Sequence, residues 1–126
     1  MPKKKSRTEA LNALLPLKPQ DYHILLVLLD KERHGYGMVK EIERQTDGQI
    51  KLEAGNLYRS VRRLIKQGLL EESERRPAPE SDDERRRYYG ITEFGREVLA
   101  AETERLRGVG AAAAARFAVS NGKVIR

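Results

Sequence analysis

Apolar residues recur at helical spacing along the chain, and the stretch from Leu52 to Leu70 is the most sharply two-sided. Its core positions follow an i, i+4, i+7, i+8 pattern, which predicts a helix packed through Leu57, Val61, Leu64 and Ile65. The opposite face carries only cations, which are Arg59, Arg62, Arg63 and Lys66. Gly68 predicts the C-terminal stop, because the residue after a helix often needs a positive φ. An apolar face opposite a cationic one is what a helix lying in a DNA groove requires.

Shorter helices are predicted upstream of this stretch. Pro19 and Asp21 favour a helix start, and the nearly continuous apolar run that follows predicts a helix buried on most sides. After a break, a second helix is predicted from about Tyr36 to Gln45, and its core stripe would be Tyr36, Val39 and Ile42. Leu11, Leu14 and Leu15 also lie at helical spacing, and they are expected to pack on another segment or on a second subunit. Three helices with short turns describe a helix-turn-helix module.

Residues 69–76 and 85–91 predict two strands joined by a turn-rich loop. A β-hairpin directly after the third helix is the wing of a winged helix-turn-helix. Each predicted strand carries an arginine cluster, and the clusters are Arg75 and Arg76 on one strand and Arg85, Arg86 and Arg87 on the other. The loop between them is acidic, so we expect the strands to contact DNA while the loop tip stays out of the groove.

A long last helix is predicted after the hairpin, with Thr92 as its N-cap. Apolar or small residues recur along it at spacings of three, four and seven, which indicates a seam formed by Leu99, Leu106, Val109, Ala113 and Phe117. A helix of roughly 26 residues is about 39 Å long, and a domain this small has nothing to cover it, so a partner subunit is the expected cover. The predicted fold is therefore mainly α with a small β-hairpin. Its parts are a basic arm and short helix (1–18), a winged helix-turn-helix domain (19–91) and a dimerisation helix with a tail (92–126).

Composition narrows the function classes. The 126 residues suffice for one domain, and the net charge of +6 with a pI near 9.7 favours a polyanionic partner. The sequence has no Cys and only two His, and it shows no nucleophile–base order or phosphate loop, so we expect no metal, no cofactor and no enzyme activity. His34 is interpreted as a capping or turn residue. No apolar run approaches a membrane span, and the start lacks the apolar region of a signal peptide, so a cytoplasmic protein is expected.

Four sequence blocks resemble the PadR family of bacterial transcriptional regulators. They are His34-Gly35-Tyr36, Gly55-Asn56-Leu57-Tyr58-Arg59, Gly68-Leu69-Leu70-Glu71, and Arg86-Arg87-Tyr88-Tyr89-Gly90-Ile91-Thr92 followed by Gly95. The resemblance covers residues 19 to about 100. It implies a winged helix, a homodimer built by the C-terminal helix, and a pseudo-palindromic operator bound most often by a repressor. Ala54 stands where the family often has Pro, and Asn56 stands where Thr or Ser is usual.

The candidate DNA-binding residues have different expected roles. Asn56 and Arg59 are the candidates for reading bases, because an amide can pair with adenine and a guanidinium with guanine. Arg62, Arg63 and Lys66 are expected to hold the backbone, Lys40 is a plausible second clamp, and Tyr58 either packs under the helix or contacts DNA. Two other functions stay open, a protein–protein adaptor that uses the basic face and a non-specific nucleic-acid binder. A small-molecule inducer is possible, but no residue pattern supports one.

Overall fold

The computed structural model describes residues 6–73 and 87–123, with side chains as far as residue 121. The helices in this part of the chain are α1 (Arg7–Asn12), α2 (Pro19–Val27), α3 (Gly35–Gln45), α4 (Ala54–Lys66) and α5 (Glu93–Lys123). The strands are β1 (Arg33–His34), β2 (Leu70–Glu72) and β3 (Tyr88–Ile91). Arg75, Arg76, Arg85 and Arg86, which were predicted to contact DNA, lie outside the described residues.

The core lies where α2, α3, α4 and the start of α5 meet, and its centre includes Leu25, Ile42, Leu57 and Val98, all at 0% exposure. The predicted core stripe of α3 is wrong at its first position. Tyr36 is 64% exposed, and the buried residues of α3 are Gly35, Met38 and Ile42. Because this stripe starts one residue earlier than predicted, Tyr36 is rotated by about 100° onto the solvent side.

The three strands form one antiparallel sheet in the order β1-β3-β2. The predicted hairpin is confirmed, with Leu70 paired to Ile91 and Glu72 paired to Tyr89. The short strand β1, which pairs with the other edge of β3, was not predicted because two residues carry no periodicity. Gly68 ends α4 with a φ of +81°, as its position predicts.

The hairpin packs closely on the start of α5. Thr92 caps this helix, since its hydroxyl accepts a hydrogen bond of 2.9 Å from the Gly95 amide and donates one of 2.6 Å to the Gly68 carbonyl. Any side chain at position 95 would strike the Leu69 carbonyl oxygen and come within 2.8 Å of Cγ1 of Ile91. Gly95 is therefore required by the contact between helix and sheet.

The N-terminal segment packs on its own chain. Leu11, Leu14 and Leu15 are half-buried against the core of their own subunit, and the part of each side chain that stays exposed leaves a second subunit as a prediction. Arg7 of α1 donates hydrogen bonds of 2.6 and 2.8 Å to the carboxylate of Glu97 on α5.

Helix α5 is divided into a packed half and an exposed half. Val98, Leu99 and Glu102 are buried against the domain, so the expectation that Leu99 faces a partner is wrong, because its own core takes it up. Glu102 accepts a hydrogen bond of 3.0 Å from the Leu17 amide, and its Oε1 forms an ion pair of 2.6 Å with Nε of Arg105. The hydrogen bonds from Arg105 and Leu17 lower the pKa of Glu102 against the opposing effect of its burial. No helix in the described residues has the length and apolar character needed to cross a membrane.

Candidate nucleic-acid interface

Helix α4 presents one stripe of exposed residues away from the core. Leu57, Ser60, Val61 and Leu64 are buried, and the exposed stripe on the opposite side is formed by Gly55, Arg59, Arg62 and Lys66. These exposed positions are spaced by four, three and four residues, which places them on one helix face. The helix contains no acidic residue, so its outward face is uniformly positive.

Arg59 and Asn56 interact with each other on this helix. The Arg59 guanidinium donates a hydrogen bond to Oδ1 of Asn56 one turn earlier. Arg59 is exposed, whereas Asn56 is half-buried on the flank of α4. A guanidinium offers a planar fork of donors that matches either a guanine edge or a phosphate. The structure therefore gives Arg59 the outward position of the two.

Arg63 does not belong to the exposed stripe. Its guanidinium donates hydrogen bonds of 2.8 and 3.1 Å to the two carboxylate oxygens of Asp21 at the start of α2. The side chain of Asp21 is only 4% exposed, and its hydrogen bonds raise the pKa of Arg63. Arg63 thus links α4 to α2, a role that the charge pattern alone did not indicate.

Tyr58 packs against the start of α3. Its ring lies so close to Gly35 that a Cβ at that residue would be 2.7 Å from Cζ of Tyr58. Tyr58 is half-buried and joins the edge of the core. Of the alternatives for this residue, packing under the helix is the one the geometry favours.

The first turn of α3 carries an exposed aromatic residue beside a cation. Nδ1 of His34 accepts a hydrogen bond of 3.1 Å from the Gly37 amide, which confirms His34 as a helix cap. The Tyr36 ring is stacked on the His34 ring with centroids 6.5 Å apart, and Nζ of Lys40 lies 5.6 Å from the Tyr36 centroid. The structure therefore places Lys40 on the surface beside Tyr36, as a cation–π pair.

Two concave surfaces border α4, one on each flank. The wing cleft, of about 590 Å³, lies between α4 and the hairpin, and its lining includes Arg59, Arg62, Ile65, Arg87 and Tyr89. Arg87 is held there by an ion pair of 3.3 Å with Glu72 on the neighbouring strand.

The α2 groove, of about 330 Å³, lies on the other flank, and it is lined by Lys18, Gln20, Asn56, Arg59, Ser60 and Arg63. Arg59 contributes to both surfaces. Lys18 and Gln20 were not among the predicted residues, since they lie more than 30 positions before α4. The only sequence signal was a lysine directly before a predicted helix start.

The remaining predicted interface residues lie on the outer half of α5. Leu106, Val109 and Phe117 are 41%, 55% and 66% exposed, and Ala113 is half-buried. They continue the helix face that Leu99 buries in the core. No cluster of three or more potential metal ligands occurs in the residues that the structure describes.

The three helices, the hairpin and the cationic α4 define a winged helix-turn-helix protein. The family model of PadR-like transcriptional regulators matches residues 24–101, which is more than half of the chain. The chain therefore belongs to the PadR-like family of transcriptional regulators.

Individual proteins are also similar to this chain. An uncharacterized protein from Lysinibacillus sphaericus is 33% identical over 79 residues, which span 63% of this chain and 70% of that protein. The structure of a transcriptional regulator from Clostridium thermocellum is 26% identical with a TM-score of 0.58, and the match covers 83% of this chain and 89% of that one. Bacillus subtilis PadR in complex with operator DNA is 19% identical with a TM-score of 0.58, and the match covers 68% of this chain and 47% of that one. The last similarity is one of fold.

Proposed function

We propose that this chain binds duplex DNA sequence-specifically as a homodimer and acts as a repressor by occupying a pseudo-palindromic operator. The observation that carries the proposal is the exposed stripe of α4, where Arg59, Arg62 and Lys66 face outward on a helix without acidic residues. Bacillus subtilis PadR, which has this fold, is bound to operator DNA in its structure. That complex supports duplex DNA as the partner of the stripe.

The division of roles follows from position. Arg59, in the N-terminal half of α4, is the proposed base-reading residue, with Asn56 beside it. Arg62 and Lys66 lie further along the stripe and would neutralise phosphates, and Arg87 would do the same from the hairpin across the wing cleft. Lys40, beside Tyr36, would contact the DNA backbone.

The homodimer rests on the outer half of α5. Its exposed apolar residues continue the stripe that is buried in the first turns, so the same helix face needs a second cover beyond Glu102. Contiguous apolar surface of this kind marks an interaction site. A second copy of the chain is the proposed occupant. It would place two α4 helices in successive major grooves, about 34 Å apart.

Salt dependence of duplex binding tests this function. With about four phosphates neutralised per subunit, log K should fall with log salt concentration at a slope of about −7. Replacing Arg62 and Lys66 together with Gln should make that slope about half as steep, because it removes two of the four phosphate contacts. The control replaces the exposed Lys31 and Arg107, which line neither the wing cleft nor the α2 groove, and it removes the same charge. Equal slopes for the two double variants would contradict the proposed surface, and a protein–protein adaptor would show no salt-sensitive duplex affinity at all.

A further inference from the structure

Lys18 and Arg59 give the α2 groove a positive charge that no carboxylate in its lining balances. Arg63 is paired with Asp21, and the Ser60 hydroxyl accepts a hydrogen bond of 2.6 Å from Gln20. Lys18 and Arg59 are both exposed at the groove, and no carboxylate lies among its lining residues. The groove is therefore a polar, cationic recess on the flank of α4.

The position of the groove relative to the wing cleft specifies which backbone segment it would meet. An α-helix is about 10–12 Å across, and the major groove is about 12 Å wide, so a helix lying in it has a sugar-phosphate strand along each flank. The wing cleft and the α2 groove are on opposite flanks of α4, with Arg59 between them. They would thus face different strands.

We propose that the α2 groove holds a phosphate of the DNA strand opposite to the one bound at the wing cleft, with Lys18 as its contacting cation. This inference rests on the proposed function, because it assumes that α4 lies in the major groove. It adds a binding residue from outside the helix-turn-helix and the wing. With Lys18 as the cation on this flank, Arg63 is not needed for a phosphate contact and is free to stabilise the fold through Asp21.

Ethylation interference on a duplex selected from a random pool tests the inference. Random ethylation of phosphates blocks binding wherever the protein requires a particular charge. Four proteins are compared, which are the unaltered chain, Lys18→Gln, Arg62→Gln and Lys31→Gln as the control. Lys18 and Lys31 are both exposed, so neither change disturbs the core, and equal thermal unfolding midpoints verify this.

The Lys18→Gln protein is expected to lose interference at one phosphate per half-site, on the strand opposite to the position lost with Arg62→Gln. Its affinity should fall by about 8-fold per subunit at 0.1 M salt, or about 60-fold for a dimer, with a slope shallower by about 1.8. An interference pattern identical to that of Lys31→Gln would overturn the inference while leaving the proposed function intact. Loss on the same strand as Arg62→Gln would also overturn it. Absence of salt-dependent duplex binding by the unaltered chain would refute the proposed function itself.

Discussion

Arg62 and Arg63 are neighbours in sequence and identical in charge, but they have different environments in the structure. Arg62 is exposed on the outward face of α4, whereas Arg63 holds the buried carboxylate of Asp21 through two hydrogen bonds. We predict that Arg63→Ala destabilises the fold with little effect on salt dependence. Arg62→Ala should do the reverse.

The expected size of the stability effect follows from the burial of the pair. Removing one partner of a buried ion pair costs about 3–5 kcal/mol. The side chain of Arg63 is 37% exposed, so solvent screens part of the interaction, and about 2–3 kcal/mol is the appropriate range here. Arg62→Ala removes an exposed side chain and should change the free energy of unfolding by about 0.5 kcal/mol or less.

Urea unfolding at fixed protein concentration measures the first quantity. With a slope of about 2 kcal/mol per molar urea, Arg63→Ala should lower the midpoint by about 1–1.5 M. A variant that combines Asp21→Asn with Arg63→Met should regain most of the loss, because no unpaired charge is then left in the interior.

Duplex binding over a range of salt concentrations measures the second quantity. Arg62→Ala should make the slope shallower by about 1.8 for two subunits, and Arg63→Ala should leave it unchanged. The reasoning is refuted if Arg63→Ala unfolds at the same urea concentration as the unaltered chain and flattens the salt dependence as much as Arg62→Ala does.

Three further predictions concern the packing of α5. Gly95→Ala should destabilise by about 1–3 kcal/mol in thermal unfolding because the new methyl group strikes the sheet, whereas Gly108→Ala, which meets nothing within 4 Å, should stabilise by about 0.5–1 kcal/mol; equal effects would contradict the close contact. Because the pKa of Glu102 is lowered in the folded state, its ionised carboxylate stabilises the fold above the ordinary pKa of about 4.5, and this stabilisation is lost as the pH falls through the folded pKa. Glu102→Gln should therefore weaken the dependence of urea unfolding on acid pH, and an unchanged dependence would contradict this role of Glu102. Phe117→Asp should halve the mass in sedimentation without changing the helix content, while Ala115→Asp on the other side of α5 should leave the mass unchanged; a dimeric Phe117→Asp protein would place the interface elsewhere.

Periodicity was sufficient to predict the helices and the hairpin, because both depend on local alternation of apolar and polar residues. The burial of Leu57, Val61 and Leu64 and the stop at Gly68 follow directly from such local rules, whereas Ile65 is only half-buried and the burial of Ser60 was not predicted. The short strand β1 has no such signal, since its two residues are held by pairing with a strand more than 50 positions away.

The candidate site was predictable in its location but not in its details. A run of four cations on one helix identified the surface. The distinction between Arg62 and Arg63 depends on Asp21, which is more than 40 residues earlier and becomes a neighbour only through folding. Lys18 joins the surface for the same reason. Leu99 was misassigned because a seam repeat does not show where the monomer core ends and exposed surface begins.

The central claim is that α4 reads duplex DNA in a symmetric pair, and selection of duplexes from a random pool tests it most directly. The unaltered chain should enrich an inverted repeat whose half-sites are centred about 10 base pairs apart. An Arg59→Ala protein carried through the same rounds should lose the preference at one or more positions of each half-site, because a good bidentate contact contributes about 1–3 kcal/mol of discrimination. A pool that remains random after selection by the unaltered chain would contradict the account.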